Sequence, residues 1–345
     1  MMGLRAKHIK WGWTLSAASE MALKTVTTRP VEPVMLSQPI PVDQLPTPAL
    51  VLDRPIMDSN IQTMAKHLGR HSKGFRPHSK THKCPEIAKQ QIAAGAVGIC
   101  TAKVSEAAVM ANAGIGSILV TSPISTRDKA QVVNAIATEQ LELLLVVDSI
   151  EGMLAMQAEI DDDKRIGLLL DLDASTGRTG LRDNDLLLRL LDDIQSDSRF
   201  YFAGVQHYAG HVMHVHDFEK RRDKSMRAWE RLADKFELLR QQGMRPEIVT
   251  GGGTGTFDID VTLEYLTDIQ VGSYIFMDEE YRQVGGADSD RFQGFDLALT
   301  VACTAISQPQ PSTITVDGGY KAFASDSVNP VCDALPDVEL RLAGD

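Results

Sequence analysis

Eight short apolar runs alternate with helix-length amphipathic stretches along the chain, and this alternation constrains the fold more than any other feature. Strands that alternate with helices predict parallel βαβ units. Eight such units in series favour a closed (β/α)8 TIM barrel of the α/β class, with an open doubly wound sheet as the structural alternative. The runs are 75–80, 97–102, 117–122, 143–149, 166–173, 201–208, 247–253 and 268–275.

The segments that flank these units differ from them. Residues 1–40 combine basic residues with an interrupted apolar stretch, which predicts a flexible N-terminal extension, with a transit peptide as the alternative. We expect the barrel to occupy 41–290. Strands without helices then predict a C-terminal antiparallel β domain over 291–345. Because its last predicted strand, 338–345, has no turn or partner after it, we expect this domain to be truncated.

Composition excludes several classes of partner. The 345 residues carry a formal net charge of −11, and no stripe of Lys and Arg interleaved with aromatic residues is present. This argues against nucleic acid as a partner. No stretch of the sequence can span a membrane. The four cysteines are scattered without CxxC spacing, which indicates free thiols and a cytoplasmic location.

A glycine-rich segment, residues 250–256, follows the seventh run and precedes a predicted helix. Glycine lets the backbone approach a ligand, and free N–H groups at the start of a helix bind anions. Barrels often carry a phosphate site in the loops after strands seven and eight. The segment is therefore predicted to bind phosphate, although a plain tight turn is the alternative.

Lys80 ends the first run, where chemistry gathers in barrels, with His78 and His82 close by in sequence. A nucleophilic lysine needs a lowered pKa, which burial and neighbouring cations provide. The alternatives are that Lys80 is an ordinary exposed lysine, or that Lys83 is the reactive one. Other polar residues at predicted strand ends are Lys103, Ser122, Asp148, Asp173 with Arg178, His207 with Tyr208, and Ser273 with Tyr274.

Three histidines, His211, His214 and His216, follow the sixth run. Such a cluster is compatible with a transition-metal site, with ordinary loop histidines, or with one imidazole that acts as a general base. Sequence alone leaves these three readings open.

Five ordered motifs resemble one known family. They are RPHSKTHKCPEIA (76–88), KVSEA (103–107), GRTG (177–180), TGGGTG (250–255) and GSYIFMD (272–278). Together they resemble the D-threonine aldolases and D-serine dehydratases, over residues 45 to 345. The resemblance implies an alanine racemase-like fold, in which a barrel that binds pyridoxal 5'-phosphate (PLP) is joined to a β domain. It also implies a homodimer.

The resemblance further implies roles for individual residues. Lys80 would form a Schiff base with PLP, and His78 would line the cofactor. Arg178 would lie near the phenolic oxygen of PLP and Tyr208 near its pyridine nitrogen, where a neutral partner makes the ring a weaker electron sink. The phosphate would be held by Thr250, Gly252, Gly253, Thr254, Ser273 and Tyr274.

The implied reaction is a retro-aldol cleavage of a D-3-hydroxy amino acid, such as D-threonine, to glycine and an aldehyde. His214 lies where these aldolases carry a histidine proposed as base for the substrate hydroxyl. D-serine dehydratase activity, which yields pyruvate and ammonia after Lys80 removes the α-proton, is one alternative, and 3-hydroxy-D-aspartate aldolase activity is another. The residues at 84–88 and 272–278 resemble those of the aldolases more than those of the dehydratases, which favours an aldolase.

Two departures from the family matter. Relatives bind a divalent metal through residues beyond the position of Asp345, so we expect the activity to be metal-assisted in full-length relatives and no metal ligand in these 345 residues. Met213 and Ala102 stand where relatives often have Gln, which would remove polar groups near the mouth of the site. A PLP-binding pseudoenzyme therefore remains as a hypothesis of another class.

Overall fold

The computed structural model describes residues 39–324, 328–332, 335 and 337–344. The predicted N-terminal extension lies outside the described residues, apart from residues 39 and 40. The chain forms two compact units, 1–45 and 46–345. In the described part of the first unit, a 3-10 turn spans Val42–Gln44.

The second unit contains the strands and α-helices of the described chain. The strands are β1 (Ala49–Leu52), β2 (Gly74–Phe75), β3 (Ile99–Thr101), β4 (Ser117–Val120), β5 (Glu142–Val147), β6 (Ile166–Asp171), β7 (Phe200–His207), β8 (Ile248–Gly251), β9 (Asp268–Ile269), β10 (Leu299–Ala302), β11 (Ala305–Gln310) and β12 (Thr313–Val316). The helices are α1 (Arg54–Arg70), α2 (Pro85–Ala93), α3 (Val104–Asn112), α4 (Arg127–Ile136), α5 (Ile150–Glu159), α6 (Asn184–Ser196), α7 (Phe218–Glu230), α8 (Ala233–Gln241), α9 (Phe257–Asp260) and α10 (Glu279–Arg282).

Strands β2 to β9 form one eight-stranded parallel sheet in the order β2-β9-β8-β7-β6-β5-β4-β3. The two outer strands of this order meet, because Phe75 accepts a backbone hydrogen bond from Val97 (2.9 Å) and Pro77 accepts one from Cys100 (2.8 Å). Each of the eight predicted runs overlaps one of these strands. The predicted (β/α)8 barrel is therefore confirmed.

Apolar side chains pack on both faces of the sheet. Inside the barrel lies a small cluster of Cys100, Leu119, Leu144, Val146, Leu169 and Ala203. Outside, each helix buries one stripe, as α6 illustrates with Leu187, Leu190, Leu191 and Ile194. This i, i+3, i+4, i+7 spacing places the four side chains on one helical face. Asp183 caps the helix by accepting a hydrogen bond from Leu186 N (2.8 Å).

Antiparallel pairs lie outside the barrel. β11 pairs with β12, as expected for a C-terminal β domain, and β10 pairs with β1, so that Leu50 lies opposite Val301. The strand predicted at the C-terminus is wrong for residues 338–344, which have no regular structure. A hydrogen bond from Tyr320 N to Gly344 O (2.9 Å) does not make a ladder. The domain boundaries near residues 40 and 290 stay predictions.

Two features of the described chain bear on its class. None of its helices is both long and apolar enough to cross a membrane. All four cysteines, Cys84, Cys100, Cys303 and Cys332, are free thiols, as their spacing predicted.

The α6 stripe generates a stability prediction. Leu190 is fully buried, so Leu190→Ala should lower the free energy of unfolding by about 2–5 kcal/mol, through lost transfer energy and a cavity. Leu188 on the same helix is only partly buried, so Leu188→Ala is the matched control and should cost less than about 1 kcal/mol. Urea unfolding checks both, and equal losses would contradict the packing described for α6.

Candidate active site

A cavity opens at the carboxyl ends of the barrel strands. Its lining residues are His78, Lys80, Ala102, Thr121, Ser122, Arg178, Gln206, Tyr208 and Gln270. Five of the polar residues named from the sequence, those at 78, 80, 122, 178 and 208, are therefore brought together, although they come from four separate loops. This end of a barrel is where active sites lie.

Lys80 and Arg178 share one aromatic ring. The Lys80 Nζ lies 5.6 Å from the centroid of the Tyr208 ring, and the Arg178 Cζ lies 5.5 Å from it. Both distances permit a cation–π interaction. Neither cation forms an ion pair with a carboxylate of the described residues. The cavity therefore carries positive charge that the described chain does not neutralise.

The environment of Lys80 favours a neutral amine. Removal of the amine from bulk water, followed by the charge of Arg178, lowers the pKa of Lys80 below the usual lysine value. The sequence suggested that the imidazoles of His78 and His82 also lower the pKa of Lys80. However, burial lowers the pKa of His78 to about 3 and that of His82 to about 4, so both are neutral near pH 7. The neighbouring cation is the arginine.

His78 orients the lysine turn. Its Nδ1 accepts a hydrogen bond from Lys80 N (3.3 Å), so its Nε2 carries the proton and donates to Thr121 Oγ1 (3.1 Å). Thr121 Oγ1 in turn donates to Thr101 O (3.1 Å). Ser79 Oγ donates to Cys100 O (3.0 Å), which fixes the other side of the turn.

A buried chain of hydrogen bonds links the lysine turn to the loop after β9. His82 Nε2 contacts Gln91 Oε1 (3.2 Å), and Gln91 Nε2 donates to the Tyr274 hydroxyl (3.0 Å). Tyr274 is fully buried and does not line the cavity. Its side chain therefore anchors the two loops to each other.

The Arg178 loop has two sharp restraints. Gly180 has a φ of +103°, and a Cβ at this position would lie 2.5 Å from Asp173 N, so only glycine fits without strain. Asp148 Oδ2 accepts a hydrogen bond from Gly180 N (2.9 Å). Asp173 pairs with Arg182 (2.7 Å) across the base of the same loop.

The glycine-rich segment offers a row of unused donors. Residues 252–255 are buried, yet none of their four backbone N–H groups donates to an atom of the described residues. Gly252 adopts a left-handed φ of +61°, and a Cβ there would clash with Asp260. Buried N–H groups without partners are costly, and successive N–H groups in such a turn form an anion-binding concavity. The segment predicted to bind phosphate thus has N–H groups that are free to donate hydrogen bonds to a ligand.

The remaining phosphate candidates have structural partners. Thr254 Oγ1 accepts hydrogen bonds from Gly272 N (3.3 Å) and Tyr274 N (3.1 Å), which ties the glycine segment to the loop after β9. Thr250 Oγ1 donates to Asp268 (2.6 Å) and accepts a hydrogen bond from Gln270 Nε2 (3.3 Å), so it supports a residue of the cavity lining without lining the cavity itself. Ser273 contacts the Tyr281 hydroxyl.

His214 does not line the cavity but lies beside it. Its Nδ1 is 3.2 Å from Glu280 Oε1, and its ring contacts the Tyr281 ring, with centroids 4.5 Å apart. Burial, followed by the charge of Tyr208, raises the pKa of Tyr281. Tyr281 therefore connects His214, which its ring contacts, with Ser273, which its hydroxyl contacts.

A polar group formed by Gln206, Gln270 and Asp171 was not predicted from the sequence. Gln270 Nε2 donates to Gln206 Oε1 (3.0 Å), and Gln206 Nε2 donates to Asp171 Oδ1 (3.0 Å). Burial raises the pKa of Asp171 to about 6. Gln206 was detectable, because it precedes Tyr208 by two residues at the end of a strand, and alternate residues share a face.

Other sequence candidates lie elsewhere. His207 is buried against Trp229, with ring centroids 4.9 Å apart. Met213 was expected near the mouth of the site but does not line the cavity. It is buried against Gly253, because the glycine lacks a side chain that would fill this space. Within the described residues, no three His, Cys, Asp or Glu side chains form a metal-binding group. The metal expected from the resemblance stays a prediction.

Comparison with known proteins places these features in a family. Residues 52–280 match the family model of the alanine racemase N-terminal domain. A D-threonine aldolase from Arthrobacter sp is 34% identical over 86% of this chain and 77% of that protein. A 3-hydroxy-D-aspartate aldolase from Paracoccus denitrificans (strain Pd 1222) is 29% identical over 86% of this chain and 78% of that protein.

A solved structure agrees with these relatives. The crystal structure of D-threonine aldolase from Filomicrobium marinum superposes with a TM-score of 0.80 at 34% identity, covering 87% of this chain and 81% of that one. The chain belongs to the alanine racemase N-terminal domain family, in the group of D-threonine aldolases and D-serine dehydratases that its motifs resemble.

Proposed function

We propose that this chain is a PLP-dependent lyase that cleaves D-3-hydroxy amino acids by a retro-aldol reaction, as D-threonine aldolases do. The observation that carries the proposal is the complementarity of the site to an anionic aromatic cofactor. Two cations without ion-pair partners face one ring, and four buried N–H groups nearby lack acceptors among the described residues. An anion would satisfy both features.

The fit assigns a function to each part of the site. Lys80, with its lowered pKa, would hold PLP covalently. The N–H groups of residues 252–255 would bind the phosphate, while Arg178 and Tyr208 would flank the ring. When bound, PLP supplies an electron sink for the pair released at the substrate Cα.

Two side chains of this protein would transfer the protons. We propose that His214 takes the proton from the substrate 3-hydroxyl as the Cα–Cβ bond breaks. The hydroxyl oxygen then becomes the carbonyl oxygen of the released aldehyde. The electron pair of the broken bond stays with Cα, which Lys80 protonates to give glycine.

Several finer points belong to this proposal. Dehydration of D-serine and cleavage of 3-hydroxy-D-aspartate would use the same cofactor and the same lysine. The divalent metal, the homodimer and the cytoplasmic location rest on the resemblance and on composition. A pseudoenzyme that binds PLP without turnover is the alternative of another class.

Absorbance spectroscopy tests the covalent cofactor site. With PLP, the protein should show a band near about 420 nm that borohydride converts into a permanent attachment at Lys80. Lys80→Ala should lack the band. Lys83→Ala is the matched control, because the Lys83 amine is exposed and pairs with Glu106 at 3.2 Å, and it should keep the band. A band that disappears only in Lys83→Ala would overturn the assignment.

The influence of Arg178 on Lys80 gives a prediction about pH. A neighbouring cation disfavours the protonated amine, so Arg178→Leu should raise the pKa of Lys80. Reaction of the lysine with pyridoxal, which lacks the phosphate, should then require a higher pH. The absorbance of the adduct, followed as a function of pH, measures this shift. Arg182→Leu is the control, since Arg182 pairs with Asp173, and it should leave the profile unchanged.

Product analysis separates the alternative reactions. With PLP and Mn²⁺, D-threonine should yield glycine and acetaldehyde, D-serine should yield little pyruvate, and L-threonine should not react. Pyruvate as the main product would favour a dehydratase. Bound PLP without any product would favour the pseudoenzyme. A parallel assay with EDTA tests the metal requirement.

A further inference from the structure

His214 is held on two sides by consecutive residues of the short helix α10. Glu280 Oε1 lies 3.2 Å from His214 Nδ1, and the Tyr281 ring packs against the imidazole at 4.5 Å between centroids with an interplanar angle of 45°. Both His214 and Glu280 are partly open to solvent, with side chains 39% and 36% exposed. Two contacts of different kinds therefore restrain an imidazole that remains partly exposed.

The contact between Glu280 Oε1 and His214 Nδ1 favours one tautomer of the imidazole. At 3.2 Å the carboxylate is within reach of Nδ1 and can only accept a hydrogen bond, so it favours the neutral form that carries its proton on Nδ1. In that tautomer the free lone pair of His214 is on Nε2. A base that abstracts a proton requires such a lone pair, and the acid beside it acts as the orienting third group.

The position of Glu280 is itself fixed by its neighbours. Asp278 caps α10 by accepting a hydrogen bond from Tyr281 N (2.8 Å). Tyr281 is buried, packs on Phe292 with ring centroids 6.4 Å apart, and contacts Ser273 through its hydroxyl. The helix that carries Glu280 is thus anchored to the loop after β9, close to the proposed phosphate site.

We infer that Glu280 is a positioning residue for His214: it holds the imidazole in the Nδ1–H tautomer and directs the basic Nε2 toward the hydroxyl of the substrate. This inference rests on the proposed retro-aldol function. Tyr281 restricts rotation of the ring, so the two residues together set the orientation and the tautomer of the base. Of His214, Glu280 and Tyr281, His214 alone contacts the substrate.

The tautomer is directly measurable. In the cofactor-free protein, ¹⁵N NMR of the imidazole side chains should show His214 with its proton on Nδ1. Glu280→Ala should shift the equilibrium toward the Nε2–H form, which free imidazoles prefer. Glu280→Gln keeps an accepting oxygen and should preserve the Nδ1–H tautomer. Glu279→Gln is the control, because Glu279 pairs with Arg282 at 2.6 Å on the same helix and does not contact His214.

Kinetics with D-threonine provide the second measurement. Glu280→Ala should lower kcat roughly tenfold with little change in KM, a fraction of what a positioned base contributes. Glu280→Gln should retain most of kcat, and Glu279→Gln should behave as the wild type. The PLP absorbance should be the same in all three variants, since none of these residues lies in the cofactor cavity.

The outcomes separate the inference from the function beneath it. If His214→Asn leaves kcat unchanged, the proposed role of His214 as base fails. If His214→Asn abolishes turnover but Glu280→Ala leaves tautomer and kcat as in the wild type, the positioning role is overturned and the proposed function stands. A wild-type spectrum with the proton on Nε2 overturns the inference without any measurement of activity.

Discussion

Positive charge without a counterion at the mouth of the barrel is the constraint on which the site depends. Placing Lys80 and Arg178 near one tyrosine ring costs electrostatic energy, because like charges repel and no carboxylate of the described residues pairs with either. Burial, followed by the charge of Arg178, lowers the pKa of the lysine. The repulsion between these two cations lies where a bound anionic ring would reduce it.

The backbone of the glycine-rich segment also carries polar groups without partners among the described residues. The N–H groups of four buried residues in the glycine-rich segment have no acceptor in the part of the chain that the structure describes, whereas nearly all buried N–H groups in proteins are satisfied. The surrounding polar residues do have partners: Thr254 supports the loop after β9, and Tyr274 is tied through Gln91 to the lysine turn. The groups that support the glycine-rich segment thus have partners, whereas its own N–H groups have none among the described residues, which is the pattern of a site prepared for a ligand.

The barrel was predictable because it depends on local information: each of its strands overlaps a short apolar run. Lys80 was named from its place at the end of the first predicted run, although the structure ends that strand at Phe75 and places Lys80 in the following 3-10 turn. Long-range partners were not predictable: Arg178 reaches Lys80 only through the curvature of a loop that Gly180 permits, and Glu280 reaches His214 only through the docking of α10. The break between α7 and α8 has no glycine or proline to signal it.

Pairing between β1 and β10 has a consequence for synthesis of the chain. The two strands, with Ala49 opposite Ala302, are separated by most of the barrel. During translation at about 5–20 residues per second, β1 waits on the order of tens of seconds for its partner to leave the ribosome. Throughout that time an unpaired strand edge, with the apolar Leu50, is accessible to chaperones or to other nascent chains. The β1–β10 pair therefore cannot form until all eight strands of the barrel have been synthesised.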